Sequence, residues 1–221
     1  MRRLWLALTL VVASVLLGCS TPAASSSAQH EQSSGEEAQT EPESLRRKPL
    51  DEYSWDELSQ ISQLISSADG EEAQRAVAKE YGIVEEDGSL TRQTKRILVD
   101  GTLSLDVRLA GICHDDRADG TGKAGLTFMT VGGLARLSMN DEATIVGGWE
   151  ASKLRERLAS QQRLRFDEEL RDVIVAVNKL TNNVGLTDSF ESVTATADEL
   201  WVFSVHEVCG DELLIEYRMS G

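Results

Sequence analysis

The chain has 221 residues, 41% of them apolar and 27% charged, and a formal net charge of −15. This composition is typical of a globular protein of one or two domains. The charge argues against nucleic acid as a partner, because such binding neutralises phosphates, and against lying flat on anionic lipid; it is otherwise explained by solubility.

The N-terminus has the pattern of a secretory signal. Arg2 and Arg3 precede an apolar run over residues 4–17, which is shorter than the roughly 20 residues that span a bilayer. The run closes with Leu16-Leu17-Gly18-Cys19, which resembles the lipobox of bacterial lipoproteins. The resemblance implies that residues 1–18 are a signal peptide and that Cys19 carries a lipid anchor on the extracytoplasmic face of the cell membrane. A plain secreted protein and an uncleaved anchor are the alternatives.

Residues 19–48 are predicted to be a disordered linker rich in serine and acidic residues. The segment has no apolar periodicity, and acids cluster at Glu36, Glu37, Glu41 and Glu43. Such a composition buries too little apolar surface to offset the entropy lost on ordering. We expect the linker to hold a folded domain, residues 49–221, away from the membrane.

The folded domain is predicted to begin with two helices, in a helical section over residues 53–82. Ser54 and Glu57 have the spacing of a capping box, and apolar residues then recur at helical spacing to about Ser67. A second helix is expected over residues 71–81, ending before Gly82. Together they form an αα-hairpin.

From Lys95 the apolar period changes to two, which predicts a sheet-containing section over residues 94–221. Asp100-Gly101 is a strong hairpin signal between a strand at residues 97–99 and a return strand over 103–112. The other predicted elements are a strand at 126–131, helices at 149–159 and 167–172, strands at 173–177 and 200–203, a helix or turn at 205–209 and a strand at 213–217. Residues 181–198 are polar, with few structure-forming signals, and are predicted to be a functional or mobile connection.

These elements lack regular βαβ alternation, so the expected fold class is α+β. The predicted architecture is an N-terminal αα-hairpin followed by a mixed, mainly antiparallel sheet with helices. A C-type-lectin-like arrangement is one form that this pattern allows.

The loop over residues 114–125 is rich in Asp and Gly. Asp115, Asp119 and Gly120 fit three positions of an EF-hand, but Arg117 and Leu126 replace two of its ligands. A different calcium site, built on Asp115, Asp116 and Asp119, stays open. The alternative is a turn-rich structural loop.

Two cysteines remain beside Cys19. Cys113 and Cys209 are a candidate disulfide in an oxidising compartment, or two buried thiols. With His114 and His206 they have the ligand types of a zinc site, although the pairs lack the usual spacing.

No motif specifies catalysis, since no Gly-x-Ser-x-Gly occurs and carboxylates are common throughout the chain. The aromatic residues, Trp149 among them, are expected in the core, with stacking on sugar rings as the alternative. The candidate ligand-binding residues are Asp115, Asp116, Asp119, Lys123, Trp149, Asn182 and Asn183.

Several stretches in order resemble a family of bacterial surface lipoproteins, the domain of unknown function 6273 family, over residues 53–210. They include Ser54-Trp55-Asp56-Glu57-Leu58, Asp119-Gly120-Thr121-Gly122-Lys123, Gly147-Gly148-Trp149-Glu150, Lys179-Leu180-Thr181-Asn182-Asn183 and Leu200-Trp201-Val202-Phe203-Ser204. Residues 154–159 lack the Trp and Asn usual in the family. Members continue past the point that matches Cys209-Gly210, so the resemblance implies a domain cut short here. The resemblance implies a location at the cell surface and a folded domain, but it implies no catalytic activity.

The leading interpretation is therefore a lipid-anchored, non-enzymatic surface module that binds a cell-wall, glycan or protein partner. The alternatives are a metal-dependent hydrolase built on His114, His206 and neighbouring acids, and a purely structural envelope protein. No cofactor is expected, with calcium and zinc as the metals to test.

The anchor predicts a clear effect of Cys19→Ala. Wild-type protein should incorporate labelled palmitate and enter the detergent phase on partitioning, whereas the variant should do neither, because the acceptor thiol is gone. Cys113→Ala is the matched control and should behave as wild type. An unlabelled, cytosolic wild-type protein would contradict the prediction.

Overall fold

The computed structural model describes residues 45–183, 192–204 and 207, apart from the side chain of Asn182. The predicted signal peptide, the lipid attachment at Cys19, most of the linker and the elements predicted after residue 207 lie outside this range. The described elements are α1 (Trp55–Ser67), α2 (Glu71–Glu80), β1 (Thr94–Val99), β2 (Leu103–Ile112), β3 (Leu126–Thr130), α3 (Lys153–Arg157), α4 (Glu168–Val173), β4 (Val177–Asn182) and β5 (Val193–Asp198). The predicted α+β class is confirmed.

The capping box of α1 is present as predicted. The Glu57 backbone N–H donates to Ser54 Oγ over 3.1 Å, and the Ser54 N–H donates to the Glu57 carboxylate over 2.6 Å. These bonds satisfy donors at the helix start that would otherwise have no partner. The buried stripe of the helix is formed by Leu58, Ile61 and Ile65.

The second helix of the hairpin, α2, ends near the predicted position. Its C-cap is Tyr81, and Gly82 follows with φ of 72°, a conformation that glycine adopts without steric cost. This turn lets Ile83 and Val84 enter the core that α1 also lines.

The folded part begins before the predicted end of the linker. The Tyr53 hydroxyl lies 3.1 Å from the Arg46 carbonyl oxygen and 2.9 Å from that of Tyr81. Lys48 forms an ion pair with Glu57 at 2.7 Å, and Leu45 packs on the core. Residues 45–48 therefore belong to the described domain, not to the linker.

The first sheet has the antiparallel order β1-β2-β3. The predicted hairpin turn is present, with positive φ of 53° at Asp100 and 66° at Gly101. On β1, Lys95, Ile97 and Val99 are buried and alternate with exposed residues, as the period of two predicts.

The third strand lies against α1. Ser62 Oγ accepts from the Leu126 backbone N–H at 3.2 Å. A Cβ atom at Gly125 would overlap the carbonyl group of Ser62. Glycine is thus required here by the close approach of two backbones.

The helix predicted over residues 149–159 begins later than expected. Ser152 is the N-cap of α3, with its Oγ accepting from the Arg155 N–H at 3.1 Å, and Trp149 lies in the preceding turn. Helical structure continues as a π-helical turn, Leu158–Gln162, and a 3-10 turn, Arg163–Arg165. Asp167 occupies the N-cap position of α4, as predicted, without a side-chain cap bond.

Two strand assignments and one predicted connection in the second half of the chain are wrong. Val173 is the last residue of α4, and the strand begins at Val177, not at 173. Residues 181–198 were predicted to lack structure, yet β4 and β5 pair as an antiparallel hairpin that includes both ends of this stretch. Residues 200–203 have no regular secondary structure.

Two groups of buried side chains form the core. One contains the αα-hairpin residues and Leu109, and the other contains Ile97, Val99, Val107 and Phe166. Trp55 and Phe128 pack against both groups and meet edge-on, with ring centroids 5.6 Å apart. In residues 45–183, 192–204 and 207, no helix has the length and apolar composition needed to cross a bilayer.

The contact between β3 and α1 predicts that Gly125→Ala lowers the free energy of unfolding by about 1–3 kcal/mol, because the added methyl group must push two backbones apart. Gly133→Ala is the control, since a Cβ atom there meets nothing within 4 Å. Urea unfolding of both variants measures the difference. Equal stability of the two variants would contradict the described packing.

Candidate functional site

A buried lysine holds together the elements around the predicted loop. Lys179 on β4 places its ammonium 2.8 Å from an Asp115 carboxylate oxygen and 2.5 Å from one of Glu207. The ammonium also lies 4.5 Å from the centroid of the Trp201 ring, a distance at which cation–π attraction is favourable. Thr127 on β3 donates to the other Asp115 oxygen at 2.9 Å.

The ionisation of this cluster follows from its surroundings. Burial is the largest single effect and by itself raises the pKa of Asp115 and of Glu207. The hydrogen bonds and charge of Lys179, together with hydrogen bonds from Thr127 to Asp115 and from Ser204 to Glu207, outweigh it, so both pKa values are lowered. Burial lowers the pKa of Lys179, but its two carboxylate partners outweigh that effect and raise it. All three groups are therefore charged at neutral pH.

The carboxylates and the lysine of this cluster lose their stabilising contributions at opposite ends of the pH range. The carboxylates contribute stability above their unfolded pKa values, and this contribution is lost as the pH falls through the lowered folded values. Lys179 contributes below its ordinary value of 10.5, and this contribution is lost as the pH rises through its folded pKa. The cluster thus supports the fold across the neutral range.

A metal site at this position would compete with the lysine. Within the described ranges, His114, Asp115 and Glu207 form a group whose ligand atoms lie within 4.8 Å of one another. The Lys179 ammonium already contacts both carboxylates, so a divalent ion would have to displace it. His206 and Cys209, the other predicted zinc ligands, lie outside the described residues.

The three aspartates of the predicted calcium site are each paired with a different cation. Asp115 contacts Lys179, Asp116 contacts Lys123 at 3.0 Å, and Asp119 contacts Arg117 at 2.7 Å. The Arg117 guanidinium and the Thr121 hydroxyl and N–H hold the pKa of Asp119 well below its usual range. These pairs favour the structural interpretation of the loop.

Backbone bonds fix the same loop against β4. Asp116 and Lys123 form an antiparallel bridge, as do Arg117 and Val177. The Ala118 N–H donates to the Ala176 carbonyl oxygen at 2.9 Å. The loop is therefore anchored along one edge of the β4–β5 hairpin.

Trp149 and Asn183 lie in a second polar cluster. The Trp149 indole N–H donates to Asp198 at 2.8 Å, and Arg155 donates to the other oxygen of that carboxylate at 2.6 Å. Asn183 accepts from the Glu150 backbone N–H at 3.0 Å. Trp149 and Asn183 are both 7% exposed, so these contacts hold them as structural residues; the Asn182 side chain lies outside the described atoms.

Cys113 has a partly buried thiol. Burial raises its pKa, and Lys123 acts in the opposite direction. Its predicted disulfide partner, Cys209, lies outside the described residues, so the bridge stays a prediction.

A cleft of about 400 Å³ lies between the first sheet and the segment that leads into β4. Trp55, Ser59 and Ser62 of α1 and Phe128 of β3 line one side. Residues 172–175 and Trp201 line the other side. Its volume is in the range of small-molecule sites in proteins.

The cleft brings together some of the predicted site residues and leaves others out. Lys123 lines it, as does Arg117 from the same loop, whereas Trp149 does not. In this cleft the loop therefore does not meet Trp149. His206, the second histidine of the hydrolase alternative, is outside the described part of the chain.

Sequence reasoning missed Lys179 and the cleft residue Trp55, and it expected Trp201, like the other aromatic residues, in the core. The alternation of Val177, Lys179 and Thr181 indicates a strand with Lys179 on one face. A strand predicted at residues 173–177, four residues too early, does not reveal this pattern. Trp55 was interpreted only as part of a capping box, although a large aromatic ring in the first turn of a helix commonly contacts a neighbouring element.

Comparison with protein-family models, with curated proteins and with solved structures gives no match for this chain. The resemblance to the domain of unknown function 6273 family and the C-type-lectin-like arrangement therefore stay predictions. The candidate site rests on its own geometry.

Removing the buried cation should destabilise the protein. We expect Lys179→Met to lower the free energy of unfolding at pH 7 by about 3 kcal/mol, because two carboxylates lose their counter-ion in a buried site. The deficit should shrink as the pH falls below about 5, where the carboxyl groups of the variant become protonated. Urea unfolding across this pH range measures both effects.

Two variants control this experiment. Lys153→Met removes an exposed ion pair with Glu156 and should change stability little. Asp115→Asn added to Lys179→Met should recover part of the loss. A deficit that is independent of pH would show that packing, not charge, gives Lys179 its role.

Proposed function

We propose that the protein is a lipid-anchored extracytoplasmic binding module that holds a small ligand in the cleft between α1, β3 and residues 172–175. The cleft is the observation that carries the proposal. Its volume of about 400 Å³ suits a small organic molecule. The predicted signal peptide and the predicted lipid anchor on Cys19 give the expected location, the extracytoplasmic face of the cell membrane.

The walls of the cleft have the character of a binding site. Trp55 and Phe128 form an aromatic surface that also packs on both parts of the core. Apolar residues from β1 and α4 extend this surface, and ten polar or charged residues of the described ranges also line the cleft. Apolar walls with a few polar groups are typical of sites for small ligands.

The alternative of a metal-dependent hydrolase has one supporting observation, the group of His114, Asp115 and Glu207. The side chain of His114 is 59% exposed and faces solvent beside the buried Lys179 cluster. Metal analysis of purified protein separates the two functions, since stoichiometric zinc or calcium would favour the hydrolase. A purely structural envelope protein would bind no ligand in the cleft.

Binding in the cleft can be tested with the neutral apolar dye N-phenyl-1-naphthylamine, whose fluorescence increases in apolar surroundings. We expect saturable binding of one dye per protein. Ser59→Trp should abolish it, because the indole ring would project from α1 into the cleft. Dye titration followed by fluorescence measures the affinity.

Gln60→Trp is the matched control. This neighbouring residue is exposed and does not line the cleft, so the variant should bind the dye as wild type does. Absence of saturable binding to the wild-type protein, or equal loss in both variants, would contradict the proposed function.

A further inference from the structure

The cleft has two chemically different ends, and the pairing of β3 defines them. Leu126 lies opposite Ile112, and Thr130 lies opposite Val107. The strand therefore leads from the end next to Lys123 toward the end next to Ile97 and Val107. We refer to these as the loop end and the core end.

The opposite wall of the cleft also leads from the loop end to the core end. Val177 bridges to Arg117 at the loop end. Going back along the chain, Ile174 and Leu170 pack with the core group that contains Phe166. Both walls thus place basic residues at one end and mainly apolar residues at the other.

Positive charge dominates the lining of the loop end. Arg117 and Lys123 both line the cleft, whereas their partners Asp119 and Asp116 do not. Those partner side chains are 49% and 70% exposed, and ion pairs so exposed are weak enough to be shared with a ligand. The buried Asp115 is already neutralised by Lys179.

Within the described part of the chain, two acidic residues also line the cleft. Glu199 is ion-paired with Arg163. Asp172 is exposed and lies five residues before Val177 along the second wall.

Trp201 adds an unused donor on this wall. Its indole nitrogen is buried and has no hydrogen-bond partner within the described ranges. A buried donor without an acceptor is unfavourable, so an acceptor oxygen nearby would be stabilising.

From these observations we infer that the ligand is a small apolar monocarboxylate, with its carboxylate at Arg117 and Lys123 and its apolar body between Phe128, Ile97 and Phe166. The inference rests on the proposed function of the cleft and adds the chemical class of the ligand. A charged head and an apolar body match the two ends, because charge-assisted hydrogen bonds are strong and apolar surface is buried favourably.

Displacement of bound N-phenyl-1-naphthylamine tests the inference on the full-length protein. Decanoate and decanol share an apolar chain and differ in the head group. At pH 7.5 decanoate should displace the dye at about tenfold lower concentration than decanol, the ratio expected from charge-assisted hydrogen bonds. High salt should reduce that ratio.

Lys123→Gln should reduce the ratio of decanol to decanoate concentrations by about threefold, because one of the two cations is lost. Lys153→Gln is the control, since this lysine lies on α3 in an exposed ion pair and does not line the cleft. For each variant, both displacement concentrations are measured with the same protein and dye. A change in dye affinity therefore affects both concentrations equally and leaves their ratio unchanged.

The outcomes separate the two proposals. Dye binding with equal displacement by decanoate and decanol would overturn the inferred ligand class and leave the binding cleft intact. An unchanged ratio in Lys123→Gln would also overturn the inferred class. Failure of the dye to bind would overturn the proposed function and this inference together.

Discussion

The ammonium group of Lys179 joins three parts of the chain that are distant in sequence. It contacts Asp115 in the loop before β3, Glu207 beyond β5, and the ring of Trp201. A buried cation with two carboxylates is stable only if the geometry satisfies all three groups. This requirement explains why the loop, the hairpin and the segment around residue 201 have definite positions.

The polar inner face of the β4–β5 hairpin is a consequence of the same constraint. Lys179 pairs across the hairpin with Thr196, and Val177 pairs with Asp198. Asp198 is 5% exposed and is satisfied by Trp149, Arg155 and Thr196. The hairpin thus packs on the domain through hydrogen bonds and ion pairs as well as apolar contacts, and its first residue, Val177, lines the cleft.

The first half of the fold could be predicted because its signals are local. The capping box at Ser54, the apolar repeat of α1 and the Asp100-Gly101 turn each involve neighbours in sequence. The second half could not, because the inner face of β4 and β5 is polar. In residues 193–198 a Val and two Ala residues alternate with two Thr and an Asp, but the polar face is the one that is buried, at Thr196 and Asp198. The period of two is present without the buried apolar face that identifies a strand.

The candidate site was predicted only in part for a similar reason. The loop over residues 114–125 stood out by composition, and its residues Arg117 and Lys123 do line the cleft. Composition could not indicate that Asp115 turns inward to Lys179, 64 residues away. Nor could it separate Trp149, which is held by Asp198, from Trp201, which lines the cleft.

The sequence by itself determined the α+β class, the αα-hairpin and the first three strands, since each depends on local periodicity, capping or turn chemistry. It also supplied the prediction of a signal and an acylated Cys19. Tertiary structure alone decided which charges are buried together and where the cleft lies. The physical reason is that the partners of Lys179 and the opposite walls of the cleft meet through contacts between residues far apart in the chain, and no short-range pattern encodes them.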